Sequence, residues 1–352
     1  MNTSMHLRAA LVAALIVAAA GCTRTSTPKS SAPAPRAAAL PTSAIPPAPP
    51  ARWLGLLGEY GSGAQFRIVA EDEGRLRLVD TALRATPISE RGDDTFVAEP
   101  VATTVKFTRD ASGRASEMAL GATRLPRNRI EPESGSNQLR VTPVRPLEEL
   151  RAEALAARPP DEPGPFVASD LVELTTLDPS IRLEIRYATT NNFLGTKFYD
   201  EARAFMQRPA AEALVRAHRA LRPLGFGLLI HDAYRPWYVT KMFWDATPLD
   251  TRWLVANPAL GSRHNRGAAV DLTLYDLATL LPVEMPSTYD ESTDRAYADY
   301  PGGTSRQRWH RALLRRAMEA QGFKVNGHEW WHFDHESWRR YAIGNVAFSQ
   351  IR

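Results

Sequence analysis

Apolar and polar residues alternate in short runs between residues 53 and 127, which is the pattern of half-buried β-strands. Residues 75–79 and 104–108 alternate in this way, and turn-forming pairs such as Glu73-Gly74 separate the runs. About six such runs predict a small antiparallel β domain. Because this stretch contains no histidine and no cluster of reactive side chains, we expect it to be an accessory domain.

The last part of the chain, residues 166–352, mixes helical and strand patterns without a regular alternation between them. Residues 209–221 carry apolar side chains at helical spacing with Pro209 in the first turn, and residues 307–321 predict a basic amphipathic helix. Apolar or alternating runs predict strands at residues 181–187, 227–232 and 270–274. We therefore predict an α+β domain with a mixed or antiparallel central sheet flanked by helices.

The first residues have the pattern of an export signal. An apolar run from residue 9 to residue 20 follows Arg8 and ends in small residues before Cys22, the only cysteine of the chain. The run is too short to span a bilayer comfortably and resembles a bacterial lipoprotein signal. We predict that residues 1–22 form a signal peptide, that Cys22 is lipidated, and that the exported protein is anchored on the periplasmic side of the outer membrane. Plain cleavage that leaves a free cysteine is the alternative.

Two segments rich in proline separate these parts. Residues 23–52 consist mainly of Pro, Ala, Ser and Thr and predict an extended tether. Residues 128–165 predict a linker with one short helix at 147–157, where helix-forming residues dominate. The predicted order is signal peptide, tether, β domain, linker and C-terminal domain.

The composition excludes several classes of protein. The 352 residues are 44% hydrophobic and 23% charged, as in globular proteins, and the net charge is +4. Basic residues are interleaved with acidic ones, so we expect no nucleic-acid partner. A single cysteine excludes an intrachain disulfide and a thiolate zinc site, so a bound metal must use His, Asp or Glu.

Two short segments of the C-terminal domain contain a complete set of zinc ligands. His264 and Asp271 lie in the first segment and His332 in the second. Two imidazoles and one carboxylate leave a fourth position open for water, which is typical of catalytic rather than structural zinc sites. Glu329 is placed to take that water's proton, and we expect the two tryptophans that follow it to shield its carboxylate from solvent.

Two further residues bear on this site. The odd spacing of His264 and Asp271 puts them on opposite faces of a straight strand, so both reach one metal only if the chain bends between them. Gly267 supplies such a bend. Arg235 follows the predicted strand at 227–232, and an arginine at a strand end can donate to an oxyanion.

Four sequence blocks, in the same order, resemble the D-alanyl-D-alanine dipeptidases associated with vancomycin resistance. The blocks are residues 186–193, the Asp-Ala-Tyr-Arg-Pro run at 232–236, the Ser-x-His-x-x-Gly-x-Ala-x-Asp run at 262–271 and the Glu-Trp-Trp-His run at 329–332. The resemblance covers about residues 166–340. A wider group of zinc peptidases shares the His-Asp-His set, but the first and last blocks favour the dipeptidase branch.

The resemblance implies a role for each matching residue. It implies one Zn²⁺ per chain held by His264, Asp271 and His332, with Glu329 as the base and Arg235 as the donor to the tetrahedral intermediate. It also implies substrate contacts, which are assigned to Ser262, Tyr187, Asp290 and Tyr199.

The expected activity is zinc-dependent hydrolysis of the dipeptide D-Ala-D-Ala in cell-wall metabolism. The chain departs from the family pattern at Met285-Pro286, which replace a more glycine-rich turn, and over residues 291–306. Both departures lie beside the expected substrate pocket and leave the breadth of substrates open. The alternatives are a D,D-carboxypeptidase or endopeptidase that acts on peptidoglycan stems, and a non-catalytic, zinc-stabilised module that binds the cell wall.

Overall fold

Eight antiparallel strands form the N-terminal part of the structure. The computed structural model describes residues 44–128 and 140–351, and within it neighbouring strands pair in chain order. Their bounds are β1 (Gly58–Tyr60), β2 (Arg67–Asp72), β3 (Arg75–Val79), β4 (Ala85–Gly92), β5 (Thr95–Ala98), β6 (Thr103–Arg109), β7 (Ala115–Leu120) and β8 (Thr123–Pro126). A bridge between Tyr60 and Arg127 joins the two ends, so the sheet closes into what we call the N-terminal barrel.

Alternate side chains of these strands fill the interior of the N-terminal barrel. Leu76 and Leu78 point inwards from β3, and Val105 and Phe107 from β6. Each such side chain stabilises the barrel by about 1.5–3 kcal/mol through removal of apolar surface from water. The sequence predicted about six strands and the structure has two more, because β1 and β8 are too short for their alternation to be detected.

The second sheet has five strands and contains both parallel and antiparallel pairs. Its order is β10-β12-β13-β15-β14, in which β10 and β12 are parallel and the other neighbours antiparallel. The bounds are β10 (Arg182–Leu183), β12 (Phe226–Asp232), β13 (Ala269–Asp276), β14 (Phe323–Asn326) and β15 (Glu329–His335). Two further strands, β9 (Leu171–Glu173) and β11 (Phe205–Gln207), pair with each other. The predicted mixed sheet is therefore present.

Helices pack around this second sheet. They are α2 (Leu147–Ala156), α3 (Leu174–Leu177), α4 (Arg208–Leu221), α5 (Trp237–Ala246) and α6 (Ser305–Glu319), whereas the short helix α1 (Ala51–Leu54) belongs to the N-terminal barrel. Helix α4 has Pro209 in its first turn and buries its apolar side, as its spacing predicted. Helix α6 begins with a capping box formed by Thr304 and Gln307, which satisfies two backbone N–H groups at its start.

The structure corrects two sequence predictions, and a third concerns residues that the structure does not describe. The strand expected at residues 181–187 shortens to β10, because the chain leaves β12 and turns through a 3₁₀ segment at Arg186–Ala188. The tether was predicted to reach residue 52, but α1 begins at Ala51 and its Trp53 packs into the N-terminal barrel. Cys22, its signal peptide and the tether up to residue 43 lie outside the described residues.

Candidate functional site

Three acidic or imidazole side chains lie in a row across the central sheet. In the register of the sheet, Asp271 on β13 is opposite His332 on β15 and opposite Asp232 on β12. Residues directly opposite each other in antiparallel strands point to the same face. The sheet therefore brings three polar groups from neighbouring strands together on one face, and Asp232 and Asp271 are both buried there.

His264 reaches this row from a short 3₁₀ turn, His264–Arg266, which precedes β13. The Ser262 hydroxyl accepts a hydrogen bond from the His264 backbone N–H at 3.2 Å and steadies the start of the turn. Gly267 ends it with φ +66°, a left-handed conformation that glycine adopts without steric cost. The bend predicted between His264 and Asp271 is thus confirmed, and it is what allows both side chains to meet.

The three predicted ligand atoms form a small triangle. His264 Nε2 lies 3.2 Å from His332 Nδ1 and 3.4 Å from Asp271 Oδ1, and the last two atoms are 2.9 Å apart. Two atoms bound to one tetrahedral zinc at about 2.0–2.1 Å lie about 3.3 Å from each other. The triangle therefore has the size that one such ion requires, and among the described residues it is the group that can hold a metal.

Both imidazoles are fixed with a lone pair towards the centre of the triangle. His264 Nδ1 lies 2.7 Å from the carbonyl oxygen of Ala233, which can only accept, so this nitrogen carries the proton. His332 Nε2 lies 3.0 Å from Asp334 Oδ1, and the other oxygen of this carboxylate, Oδ2, forms an ion pair with Arg263 at 3.0 Å. Carboxylates and carbonyls behind metal-bound histidines orient the rings in this way and raise their basicity.

Asp271 is held ready to act as an anionic ligand. Tyr289 donates its hydroxyl to Asp271 Oδ2 at 3.1 Å, which leaves Oδ1 on the side of the imidazoles. Burial opposes ionisation of this carboxyl, but His264 and His332 outweigh it and hold its pKa well below the ordinary value. Sequence reasoning missed Tyr289 and Asp334, although Asp334 was detectable because it shares a strand face with His332 two residues earlier.

Glu329 lies beside the triangle in a more open setting than the sequence predicted. Its Oε2 is 3.9 Å from His332 Nδ1 and accepts a hydrogen bond from Asn326 Nδ2 at 2.9 Å. The side chain is 40% exposed, so the expected shielding by the two tryptophans is wrong. Trp330 instead points its indole N–H at Ser287 Oγ, 2.8 Å away, on the opposite side of the strand. Glu329 is oriented by an amide rather than desolvated by aromatic walls.

Arg235 is locked in place by Asp232. The guanidinium donates to Asp232 Oδ2 at 2.9 Å and 2.8 Å, and Tyr199 donates its hydroxyl to Oδ1 of the same carboxylate at 2.7 Å. Tyr199 was predicted to contact substrate, but it does not line the pocket that contains the triangle. Tyr199 instead lies behind the cavity surface, where its hydroxyl orients Asp232, the residue that holds Arg235.

A cavity of about 480 Å³ opens over the triangle. Its lining includes all the other residues predicted for the site: Tyr187, Arg235, Ser262, His264, Asp271, Asp290, Glu329 and His332. On one wall the Tyr187 hydroxyl donates to Asp290 Oδ2 at 3.1 Å. Burial raises the pKa of Asp290 to about 8, and the negative charges of Asp271 and Glu329 add to this effect. Asp290 is therefore largely protonated near pH 7, and a cationic group of a ligand placed at this wall would favour its ionisation.

Comparison with known proteins matches the same part of the chain. Residues 167–342 match the family described as D-ala-D-ala dipeptidase. The D-alanyl-D-alanine dipeptidase of Escherichia coli K12 is 34% identical over 166 residues, which are 47% of this chain and 84% of that protein. Those of Enterococcus faecalis V583 and Streptomyces coelicolor are 33% and 32% identical, and the matches cover 85% and 92% of the two proteins and 44% and 47% of this chain.

The match includes every residue of the triangle, together with Glu329 and Arg235, and it leaves out the N-terminal barrel. Identity above 30% over more than four-fifths of these relatives is sufficient to place the C-terminal part of the chain among them. The chain therefore belongs to the D-ala-D-ala dipeptidase family.

Proposed function

We propose that this protein is a zinc-dependent D-alanyl-D-alanine dipeptidase with one ion held by His264, Asp271 and His332. The observation that carries the proposal is the triangle of ligand atoms 2.9–3.4 Å apart, with the carboxylate of Glu329 in the same cavity. The donor set of two imidazoles and one carboxylate suits zinc and keeps a position free. Three relatives that bear the dipeptidase name give the reaction class, peptide hydrolysis.

When bound, zinc would polarise the scissile carbonyl and lower the pKa of a water to about 7. Glu329 takes the proton of the attacking water on its carboxylate and delivers it to the amine that leaves. The amide of Asn326 holds Oε2 of that carboxylate at 2.9 Å, which limits its rotation. Proton transfer of this kind contributes about a hundred- to ten-thousand-fold to the rate.

Arg235 stabilises the charge that develops on the carbonyl oxygen during attack. Its ion pair with Asp232 fixes the guanidinium before substrate arrives, so little reorganisation is needed in the reaction. The phenyl ring of Phe243 lies under the same group, with 4.9 Å between the guanidinium carbon and the ring centre. Removal of a preorganised donor of this kind lowers kcat by about a hundred- to a thousand-fold.

The free ammonium group of a dipeptide has a natural partner in the cavity. Asp290, supported by Tyr187, offers an acidic wall to the free ammonium group, which promotes ionisation of Asp290 when it binds. Ser262 lies just before the turn that carries His264 and lines the cavity. It contacts the substrate from a different chain segment from that of Asp290. A substrate whose amino group is acylated loses the charge attraction to Asp290.

The test is a direct assay of D-Ala-D-Ala hydrolysis by the purified protein, stripped of metal and then reloaded with zinc. D-Alanine release should appear only after loading, and L-Ala-L-Ala should be hydrolysed far more slowly. Glu329→Gln should keep bound metal and lose turnover, whereas the surface variant Glu336→Gln should match the parent. Hydrolysis at the parent rate by Glu329→Gln would refute the assigned role of the base.

A second candidate activity is D,D-carboxypeptidase or endopeptidase cleavage of peptidoglycan stems. It is favoured by the size of the cavity, about 480 Å³, which lies in the range that accommodates ligands larger than a dipeptide. The two activities separate when the enzyme is offered a free dipeptide and a purified muropeptide at equal concentration. Mass analysis of the products decides which substrate is consumed first.

The proposed location is the periplasmic face of the outer membrane, with Cys22 as the lipid attachment point. The proposal rests on the sequence of residues 1–22 and on the composition of the tether. Among the described residues, no helix has the length and apolar character that a membrane span requires. The same export would place the enzyme next to peptidoglycan.

A further inference from the structure

The N-terminal barrel contacts the first turn of helix α6 through a buried glutamate. Glu71, on β2, is 1% exposed. Its carboxylate accepts hydrogen bonds from the backbone N–H of Ser305 at 2.8 Å and from the Ser305 hydroxyl at 2.9 Å. Ser305 is the first residue of α6, so the negative charge lies where the helix dipole favours it.

The same barrel strands hold the chain just before α6. Glu71 donates its backbone N–H to the carbonyl of Gly303 at 3.0 Å. Tyr300 packs between Ile68 and Val79, and its hydroxyl donates to Glu59 at 2.9 Å. Residues 59–79 and 300–305 therefore form one continuous contact, although more than two hundred positions separate them in sequence.

We use the name connecting segment for residues 289–304, which join the acidic wall of the cavity to α6. The segment begins with Tyr289 and Asp290, whose hydroxyl and carboxylate face Asp271 and Tyr187. Arg311 of α6 holds its middle by donating to the carbonyl of Tyr297 at 3.1 Å and to that of Tyr300 at 2.8 Å. The segment thus lies between the barrel on one side and the cavity on the other.

The connecting segment also contacts the hairpin that carries Glu329. Ala298 donates its backbone N–H to the carbonyl of Gly327 at 3.0 Å. The rings of Tyr297 and His328 meet edge to face with their centres 5.1 Å apart. Gly327 and His328 form the turn between Asn326, which orients the Glu329 carboxylate, and Glu329 itself. A chain of contacts therefore runs from the barrel to Glu329.

We propose that the N-terminal barrel helps to fix the geometry of the active site, and that Tyr300 and Glu71 are positioning residues for Glu329. None of the described barrel residues 44–128 lines the cavity, so the barrel acts on the site through the connecting segment and the first turn of α6. The side chain of Glu329 is 40% exposed, so few neighbouring atoms restrict it. The position of its carboxylate therefore depends on the turn formed by Gly327 and His328. The inference rests on the proposed role of Glu329 as base.

The first test is Tyr300→Phe, which keeps the ring in its apolar contact and removes only the bond to Glu59. We expect kcat to fall about 5- to 50-fold, because a shift of the base by a fraction of an ångström is costly in rate, while KM and zinc content stay near the parent values. Glu71→Gln should act in the same direction. Glu117→Gln, which breaks the barrel's own pair with Arg124, is the matched control and should leave kcat unchanged.

A double-mutant cycle separates positioning of the base from general damage. In a Glu329→Gln background, Tyr300→Phe should lower the residual rate by less than about twofold, because the group it positions has been replaced. Losses of equal size in both backgrounds would overturn the proposal, as would a parent-like kcat for Tyr300→Phe and Glu71→Gln.

Amide hydrogen exchange on the metal-free proteins gives a readout that does not depend on catalysis. Tyr300→Phe should accelerate exchange at residues 297–300 and at the turn 326–329, and Glu117→Gln should not. Unchanged exchange at the turn would refute the proposal that the barrel positions Glu329. If the parent protein does not hydrolyse D-Ala-D-Ala at all, the proposed function fails, whereas the exchange comparison still tests the mechanical link.

Discussion

Asp334 should contribute a large part of the protein's affinity for metal although it is not a ligand. Its Oδ1 accepts the Nε2–H of His332 at 3.0 Å, and its side chain is only 15% exposed. A hydrogen bond between a charged and a neutral partner of this kind is worth about 1.5–3 kcal/mol. At about 1.4 kcal/mol per tenfold change in affinity, Asp334→Ala should weaken zinc binding by about 10- to 100-fold.

The assay is a competition titration with a chromophoric chelator at fixed pH. Asp334→Asn keeps an acceptor for His332 but loses the charge, so its loss of affinity should be smaller than that of Asp334→Ala. Glu336→Ala, an exposed acid two residues further along, should bind zinc as the parent does. If Asp334→Ala and the parent had equal affinity, His332 would not depend on its partner, and our account of how the rings are oriented would fail.

Three further outcomes follow from the structure. Because the pKa of Asp290 is raised to about 8 in the folded protein, its contribution to the free energy of unfolding is lost as pH rises from about 4 to about 8. In urea titrations of the metal-free proteins, the parent should therefore lose more stability over that range than Asp290→Asn. Parallel curves of stability against pH would contradict the raised pKa. Gly267→Ala should unfold at lower denaturant concentration and bind zinc weakly, because its Cβ would lie 2.6 Å from Leu171 at φ +66°. Cys22→Ser should move the protein from the membrane fraction to the soluble periplasm, and an unchanged membrane fraction would exclude lipidation there.

The three side chains that form the triangle could be singled out from the sequence because they lie in short segments of characteristic residue types. His264 and Asp271 are only seven positions apart, and Gly267 between them signals the bend that the structure contains. Glu329 and His332 are likewise close in sequence. Residue types that combine within such segments restrict the chemistry without knowledge of tertiary contacts.

The surroundings of those ligands were less predictable. Glu329 lies next to an irregular part of the sheet, where the register between β14 and β15 shifts and three residues of β15 have no partner in β14. The placement of Tyr199 depends on Asp232, 33 positions away, which takes its hydroxyl. Periodicity shows which face of an element is apolar, but it does not show which distant polar group a side chain meets.

The contact between the N-terminal barrel and α6 is a further feature that sequence periodicity does not predict. The alternating runs between residues 53 and 127 predicted strands in the region that contains β2, and Ser305 lies close to the predicted start of the helix at residue 307. Neither pattern indicated that Glu71 is buried against Ser305, because the two residues are 234 positions apart. Residues 291–306 were recognisable as a departure from the family pattern, and the structure shows them in contact with the barrel, which the family match leaves out.

The most direct measurement for the central claim is anomalous diffraction at the zinc edge from crystals of the zinc-loaded protein. We expect one peak per chain, about 2 Å from His264 Nε2, Asp271 Oδ1 and His332 Nδ1, with the carboxylate of Glu329 outside bonding distance. A peak elsewhere, or a zinc ion bound directly by Glu329, would contradict the assignment of three ligands and a separate base.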